Sequence, residues 1–546
     1  MFNVIKTPGL ISLRLLCGLI FLGIAPACAL AATTYYVDCS ASSNGDGSQS
    51  NPWNSLTNPN ATTFEPGDEL LFLRGTTCSG KLTPLGSGNA GAPVTIDAYG
   101  TGDLPILDGG TANAETIYLH NVQYYDVQDI SVVGSNSTAI YAYADIAGER
   151  LTSIHLSNLT VSAVNKIAKT RSDGGGIIFY SGKPTAYFAD VLIDGVTVDN
   201  LTAAEGINIG SYYSATSPVY NAGVVVQNST VHDVYGDGIL VWGSANVVVQ
   251  NNVVYHSGLC SACTGSTPVG LWTWYTSGAT AQNNESYSNQ TWSAANTDGG
   301  DYDIDYWNLN NIYQYNYGHD SQGYCFLAEG YTVGAVTTTN SNIIRYNICA
   351  NDVQKDTSNG EVFLYAYGKG RLDGLQIYNN TIYVNGVPGT YALLDEGAYS
   401  GMIPNFFKNN LIYSTAPEMI NATSKMKLNN NLYWNSAGTG YTFTYANTTY
   451  SDFADYQTGS GQDALGLNLD PLLNGAGYHD TPLPSLANGD YTLQPGSPAL
   501  NAGANVCLPK KACITGSAGT QDFYGQPLTK THNIGAYDAP TGMDLR

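Results

Sequence analysis

The sequence predicts an all-β parallel solenoid, and three observations carry that prediction. From about residue 121 to 435 one phrase recurs: an apolar residue, Asn, then an alternating apolar run. Instances are HLSNLTVS at 155, VVVQNSTVHD at 224, VVVQNNVVYHSG at 247, IIRYNICAND at 343 and LQIYNNTIYVN at 375. They recur roughly every 21 to 37 residues, a spacing typical of stacked repeats. Between the phrases lies a second run, often opened by Gly, as in AEGINIGS, GDGILVWGS, GGDYDIDYW and QGYCFLAEG. Helical periodicity is almost absent, which argues against a βαβ fold. Coils of short strands should stack about 4.8 Å apart, with turn Asn amides laddering along the stack. A β-propeller and a β-sandwich are the competing folds, and the Asn cadence supports neither.

Composition bounds the rest. The chain has 546 residues, of which only 12% are charged, while Gly (61) and Tyr (41) are abundant. Backbone pairing and aromatic packing, rather than surface ion pairs, must hold such a chain. The net charge of −23 and the lack of any basic run exclude nucleic acid as a natural partner. A strongly anionic polymer is disfavoured too, unless a bound metal reverses the local field.

Residues 1–31 read as a secretory signal. Lys6 and Arg14 precede and enter an apolar run from Leu10 to Ala25, and small residues follow from Ala27 to Ala31. A membrane anchor is the competing reading, but the run is short and Pro26 interrupts it. The expectation is a secreted monomer, extracellular or, in a bacterium, periplasmic, with no membrane association after cleavage. Eight cysteines remain beyond the signal and fall into near pairs: Cys39 with Cys78, Cys260 with Cys263, Cys325 with Cys349, Cys507 with Cys513. An even count in an exported chain points to disulfides. Zinc at Cys260-Ser-Ala-Cys263 lacks a second ligand pair. Ten Asn-X-Ser/Thr sequons occur, among them Asn60, Asn136, Asn284, Asn421 and Asn447, so a eukaryotic host would yield a glycoprotein.

Residues 32–120 are expected to form an N-terminal cap and the first coils, with a short helix at 51–57. Residues 121–435 form the solenoid proper. Residues 436–546 form the last coils and a loop-rich cap, including an amphipathic piece at 450–465.

GDGI and QNN set in an Asn-turn ladder resemble the right-handed parallel β-helix of the pectin-lyase-like superfamily. The opening YYVD, FEPGDELLFLRG and PVTIDAYG, and the closing DYTLQPGSPALNAG, DFYGQP and NIGAYD, are similar to the ends of secreted polysaccharide-degrading β-helix proteins. The resemblance implies a right-handed helix. It leaves the reaction open, because the superfamily includes lyases, hydrolases, epimerases and binding proteins.

The densest chemistry lies between Thr297 and Gly330. Asp301, Asp303 and Asp305 alternate with Tyr302 and Ile304, which predicts three outward carboxylates on one strand. Residues two apart on a strand face are roughly 6.6 Å apart, which suits the wider carboxyl spacing of inverting glycosidases. Asp303 and Asp305 are therefore the expected catalytic pair. Asp301, His319, Glu329 and Glu361 are further candidates, with Glu329 and Glu361 expected to project to solvent at strand ends. A His beside carboxylates is held charged and can donate a proton; recurrence of His232 and His256 at equivalent turns favours a structural role for His319. The competing use of these aspartates is calcium, through Asp298 and Asp301 together with Asp303 and Asp305.

Aromatics supply the second half of a sugar site. Trp242, Trp272, Trp274, Trp292 and Trp307 cluster in sequence, and aligning the Gly-opened runs puts Trp242, Trp274 and Asp305 in one outward column and Trp272 and Asp303 in the next. Flat apolar side chains facing outward stack sugar rings, whereas packing beneath a loop is the bland alternative. Asp237 lies two coils before Asp301 and extends the acidic row. The favoured function is a glycoside hydrolase acting on a polysaccharide, which requires no cofactor. The first alternative is a calcium-dependent pectate-type lyase with Lys355, Lys369, Arg345 or Arg371 as base. The second is a non-catalytic glycan-binding or adhesion protein.

Overall fold

The computed structural model describes residues 31–165, 174–202, 205–214, 218–260, 268–291, 298–331, 338–355, 358–367, 370–397, 403–485, 487–506, 519–528 and 531–538. The chain is a right-handed parallel β-helix, the solenoid that the Asn cadence predicted with the hand that the resemblance implied, and 3% of the described residues are helical. Each coil contributes three short parallel strands. One coil runs through Leu271–Ser277, Thr280–Gln282 and Glu285–Tyr287, and the next through Tyr302–Ile304, Ile312–Gln314 and Tyr317–His319. The first and second strands of successive coils join one 27-stranded assembly, and the third strands form a 13-stranded sheet.

Inward columns build the core. In the second strands Val226, Val249, Ala281, Tyr313, Ile344 and Ile377 follow one another in register. Each is nearly or fully buried. At about 1.5–3 kcal/mol for a buried Val, Leu or Ile, these repeated columns supply most of the drive to stack.

The QNN phrase now has a physical account. Asn251, Asn283, Asn379, Asn409 and Asn430 adopt left-handed backbone (φ 53–56°), a conformation that Asn tolerates better than most residues. The next residue turns inward and ladders. The Asn284 side chain accepts from the Asn252 N–H (3.0 Å) and donates to the Asn316 side-chain oxygen (3.0 Å) and the Val249 carbonyl (3.0 Å). The ladder continues through Asn347, Asn380, Asn410 and Asn431. Asp463 ends it by accepting from the Asn431 N–H and from Tyr433 and Tyr456. The sequon residue Asn284 is fully buried in this ladder, so the folded chain does not offer it for glycosylation. Replacing Asn347 by Ala strips partners from buried groups on two rungs. We expect a loss of about 2–4 kcal/mol in denaturant unfolding, whereas a loss below about 0.5 kcal/mol would refute the ladder's contribution.

At the N-terminal end Trp53 stacks on Tyr35 (4.9 Å between centroids) over Phe64 and Leu56. The only helix there is Thr57–Ala61, among the described residues, displaced from the expected 51–57 because Trp53 bridges in parallel to Val37. At the other end the helix Phe453–Ser460 packs Phe453 and Tyr456 on Phe443 and Tyr433. The loop-rich tail then runs back along the outside of the third sheet, where Leu473, Tyr491, Leu493 and Ile534 cluster with Tyr317, Ile348 and Leu411. Disulfides join Cys39 to Cys78 and Cys325 to Cys349. Cys260 is disulfide-bonded, while Cys263, Cys507 and Cys513 lie outside the described residues.

Candidate active site

The outer face of the first strands carries the candidate site. Register places Leu240, Trp272, Asp303, Leu327 and Phe363 in one column. In the neighbouring column Trp242 pairs with Trp274, and Glu329 pairs with Tyr365. Asp305 stands between them, one residue beyond Ile304, which pairs with Thr273 on one side and Ala328 on the other. The aligned columns therefore fall where the sequence alignment put them.

Tyr324 organises the carboxylates, and sequence reasoning passed it over. Its carbonyl accepts the Asp301 N–H, so its rung position is that of Gly300. A Cβ on Gly300 would lie 2.3 Å from the Tyr324 ring, so only Gly lets the ring lie flat across the previous coil. The phenol donates to Asp298 Oδ1 at 3.4 Å. Burial, and then the charges of Asp298, Asp303, Glu329 and Asp305, hold the phenol well above its ordinary pKa. Asp298 touches the phenol, and the register sets Asp303, Asp305 and Glu329 on adjoining rungs of the same outer face. The available signal was the alignment of QGYCFLAEG with GGDYDIDYW, which sets a Tyr against a Gly.

Exposure grades the four. Asp303 (4% exposed) is flanked along its column by Trp272 and Leu327, and Asp305 is 6% exposed. Asp298 and Glu329 are half-buried and form the rim. The three carboxylates expected on an exposed face are therefore sheltered.

Asp301 departs from the expected alternation. Asp301 and Tyr302 both point into the coil, because the bend between third and first sheets lies there and the strand begins only at Tyr302. Asp301 accepts from Ser321 (2.7 Å), Ser286 (2.9 Å) and Asn289 (2.9 Å). Two rungs on, Glu361 occupies the same inward column: Leu271 N–H bonds to the Asp301 carbonyl, Tyr302 to Cys325, Phe326 to Glu361. Glu361 is fully buried, not solvent-facing, and both of its carboxyl oxygens lack a hydrogen-bond partner. Burial drives the Asp301 pKa up to about 7 and carries Asp352 and Glu361 well above the carboxylate range, each reinforced by the Asp301 charge. Carboxylate oxygens of Asp301 and Asp352 and the Cys325 sulfur lie within 4.8 Å of one another, but that sulfur is tied to Cys349 and is no thiolate ligand. Asp298 and Asp301 thus lie on opposite sides of the sheet, and the four-aspartate calcium cage is not assembled.

Other expected residues fall elsewhere. His319 lies on the outer face of the third sheet, stacked between Tyr287 (4.8 Å) and Tyr317 (4.3 Å). Its ring nitrogens meet Asp320 (2.8 Å) and Glu285 (3.4 Å), and the tail residue His479 covers Asp320. Burial alone would lower its pKa; the hydrogen bonds to Asp320 and Glu285 outweigh it and raise the value. Asp237 accepts the Val269 N–H (2.8 Å) and fastens two coils. Trp272, Trp242 and Trp307 are 1%, 7% and 4% exposed: Trp272 and Trp242 cluster with Leu240 and Leu327, and Trp307 stacks on Tyr213, rather than standing open to solvent. Trp274 alone of the four is half-buried. Trp292 and Lys369 lie outside the described residues. Arg345 caps a glutamine ladder on the second sheet by donating to Gln314, and Arg371 pairs with Asp373 (3.4 Å). Lys355 donates to Thr291.

No protein-family model matches the chain. In sequence it is 26% identical, over a 626-residue alignment, to the lacto-N-biosidase of Bifidobacterium longum subsp. longum. That alignment covers 93% of this chain, which spans only 36% of the relative's length. In structure it is similar to the GH136 lacto-N-biosidase of Eubacterium ramulus, in native form (TM-score 0.55, 20% identity, 71% of this chain and 68% of that one) and as a selenomethionine derivative (TM-score 0.55, 21% identity, 71% and 67%). That likeness shows the fold.

Proposed function

We propose that the chain is a glycoside hydrolase whose catalytic carboxylates come from the group around Tyr324. The observation that carries the reading is geometric: Asp303, Asp305 and Glu329 share adjoining rungs of one outer face, Asp298 meets Tyr324 beside them, and Trp242 and Trp274 stack on the same columns. The sequence similarity to a lacto-N-biosidase supports it and makes a neutral glycan ending in lacto-N-biose the first substrate to test. No cofactor is needed for this chemistry.

Within the group, accessibility favours Asp305. Asp303 is hemmed in by Trp272 and Leu327, whereas Asp305 borders half-buried Trp274, Tyr306 and Glu329. Asp305 and Glu329 sit on adjacent rungs, about 4.8 Å apart along the stack, close to the short carboxyl spacing of retaining glycosidases. A rim carboxylate, Asp298 or Glu329, then exchanges protons with solvent as acid and base, with Asp305 as nucleophile. This replaces the inverting Asp303–Asp305 pairing that strand spacing alone favoured.

Export before folding belongs to the same proposal, supported by the disulfides Cys39–Cys78 and Cys325–Cys349. The test is to incubate the purified chain with an aryl lacto-N-bioside and with neutral and uronate glycans, following reducing ends and ultraviolet absorbance together. Reducing ends without new absorbance, released with retained anomeric configuration, are expected. An absorbing unsaturated product, or no release from any glycan, would overturn the reading.

A further inference from the structure

The two columns that hold Asp303 and Asp305 do not begin at the site. Traced toward the N-terminal coils, the Asp303 column reads Trp272, Leu240, Asn208, Ile178, Tyr141 and Tyr118. The Asp305 column reads Trp274, Trp242, Gly210, Tyr180, Tyr143 and His120. The aromatic rings on them are in contact from end to end. Tyr118 stacks on Tyr141 (5.8 Å), Tyr141 on Tyr143 (5.3 Å) and Tyr143 on Tyr180 (6.2 Å). Tyr180 meets Trp242 (5.8 Å), Trp242 stacks on Trp274 (4.8 Å), and Trp274 meets Tyr306 beside Asp305 (5.6 Å).

One rung without a ring would break this strip, and the chain bridges it. At Gly210 a Cβ would come within 2.1 Å of the Trp242 indole, so the glycine is what allows that indole to lie across the rung toward Tyr180. The indole N–H donates to Asn208 (2.9 Å) in the parallel column, which fixes the ring in that pose. Tyr118, Tyr141, Tyr143 and Tyr180 are half-buried, so each leaves part of its ring at the surface. Six spacings of about 4.8 Å separate the Tyr118 rung from the Asp303 rung, roughly 29 Å, far longer than the two sugar rings a terminal disaccharide requires.

We propose that this strip is a remote binding track for the chain of a neutral glycan whose end is cleaved at Asp305. The inference rests on the hydrolase reading and names the part of the substrate that the carboxylates do not touch. Alignment with the carboxylate site selects the occupant: the strip lies on the same two columns, with half-buried tyrosines at its far end, half-buried Trp274 beside Asp305, and the packed Trp242 (7% exposed) joining the two stretches from beneath. Partly exposed tyrosine rings offer apolar surface to the C–H groups of sugars, and their hydroxyls offer partners to sugar hydroxyls. The net charge of −23 repels sulfated or uronate polymers, so the glycan is neutral. Lys81, set over Tyr118 at the far end, is already paired with Glu115 (3.4 Å) and offers no anion site.

The test compares kcat/KM for an aryl lacto-N-bioside and for neutral oligosaccharides of increasing length bearing the same terminal disaccharide. Wild type should gain with length, and Tyr141→Leu and Tyr143→Leu, which keep apolar bulk but remove the ring, should each cut the long-to-short ratio by about tenfold. Calorimetric binding of the longest oligosaccharide to Asp305→Asn should weaken by a similar factor when either Leu change is added. A ratio and an affinity unmoved by both Leu variants, with unchanged unfolding midpoints, would overturn the track while leaving the hydrolase standing. Length-dependent binding lost in the Leu variants, with no hydrolysis by wild type, would uphold the track and sink the hydrolase.

Discussion

Asp305→Asn lowers the rate of glycoside release by more than about 100-fold, the scale of losing a catalytic carboxylate, without moving the unfolding midpoint. The expectation follows from position. Asp305 is the member of the group that is both sheltered (6% exposed) and next to half-buried neighbours, so it meets substrate without being solvated by bulk water. The replacement is isosteric and keeps the Tyr306 N–H bond to Oδ1 (2.6 Å), so folding should survive it. Asp303→Asn, beside it on the strand, is expected to fall less far, because its column neighbours Trp272 and Leu327 bar direct contact. Steady-state kinetics on the aryl glycoside decides the assignment, together with added azide on Asp305→Gly, where truncation leaves room for the anion. A wild-type rate in Asp305→Asn would sink it, and a glycosyl azide of inverted configuration from Asp305→Gly would identify the nucleophile.

Thermal stability should fall as pH rises from about 5 to about 9, which is opposite to the behaviour of a fold held by paired carboxylates. Burial raises Asp301 to about 7, against about 3.9 in the unfolded chain, so the native state holds a proton that the unfolded state has released. The stabilisation is complete below the unfolded value and is lost as pH climbs through the folded one. For Asp301 alone the loss is on the order of a few kcal/mol. Asp352 and Glu361, raised further by burial and by Asp301, extend the decline to higher pH. His319 adds to it with the same sign. Its folded pKa is raised, so its contribution is present below about 6.5 and disappears above the folded value. Asp301→Asn keeps acceptors for Ser286 and Ser321 and cannot ionise, so its melting temperature should vary less with pH and exceed wild type in the alkaline range. Circular dichroism melts across pH would contradict this if wild-type stability rose with pH or if both proteins followed one curve.

Several features were legible because they are local. The Asn-Asn phrases encode a left-handed turn followed by an inward amide, and each coil repeats the requirement, so the ladder from Asn252 to Asp463 is written in the chain. The outward placement of Trp272 with Asp303, and of Trp242 with Trp274, followed from counting along Gly-opened runs, since parallel in-register strands align like with like. Counting failed at Asp301 and Glu361. A period of two holds only within a strand, and both residues sit on the bend before one, in the inward column otherwise held by Gly206, Gly238 and Gly270.

The sequence by itself determined the coil, its ladder and which strand bears the acids; the structure joined the near pairs Cys39–Cys78 and Cys325–Cys349. Coil, ladder and acid-bearing strand depend on residues near in sequence or repeated at a fixed rung, and pattern reports them directly. Tertiary structure alone decided which acids meet. Tyr324 meets Asp298 beside the rungs of Asp303, Asp305 and Glu329 because Gly300 leaves room for its ring, and Tyr213 closes over Trp307 from far along the chain. Whether an outward side chain faces water or another segment depends on loops folding back from distant coils, and that packing is a property of the assembled helix rather than of any one repeat.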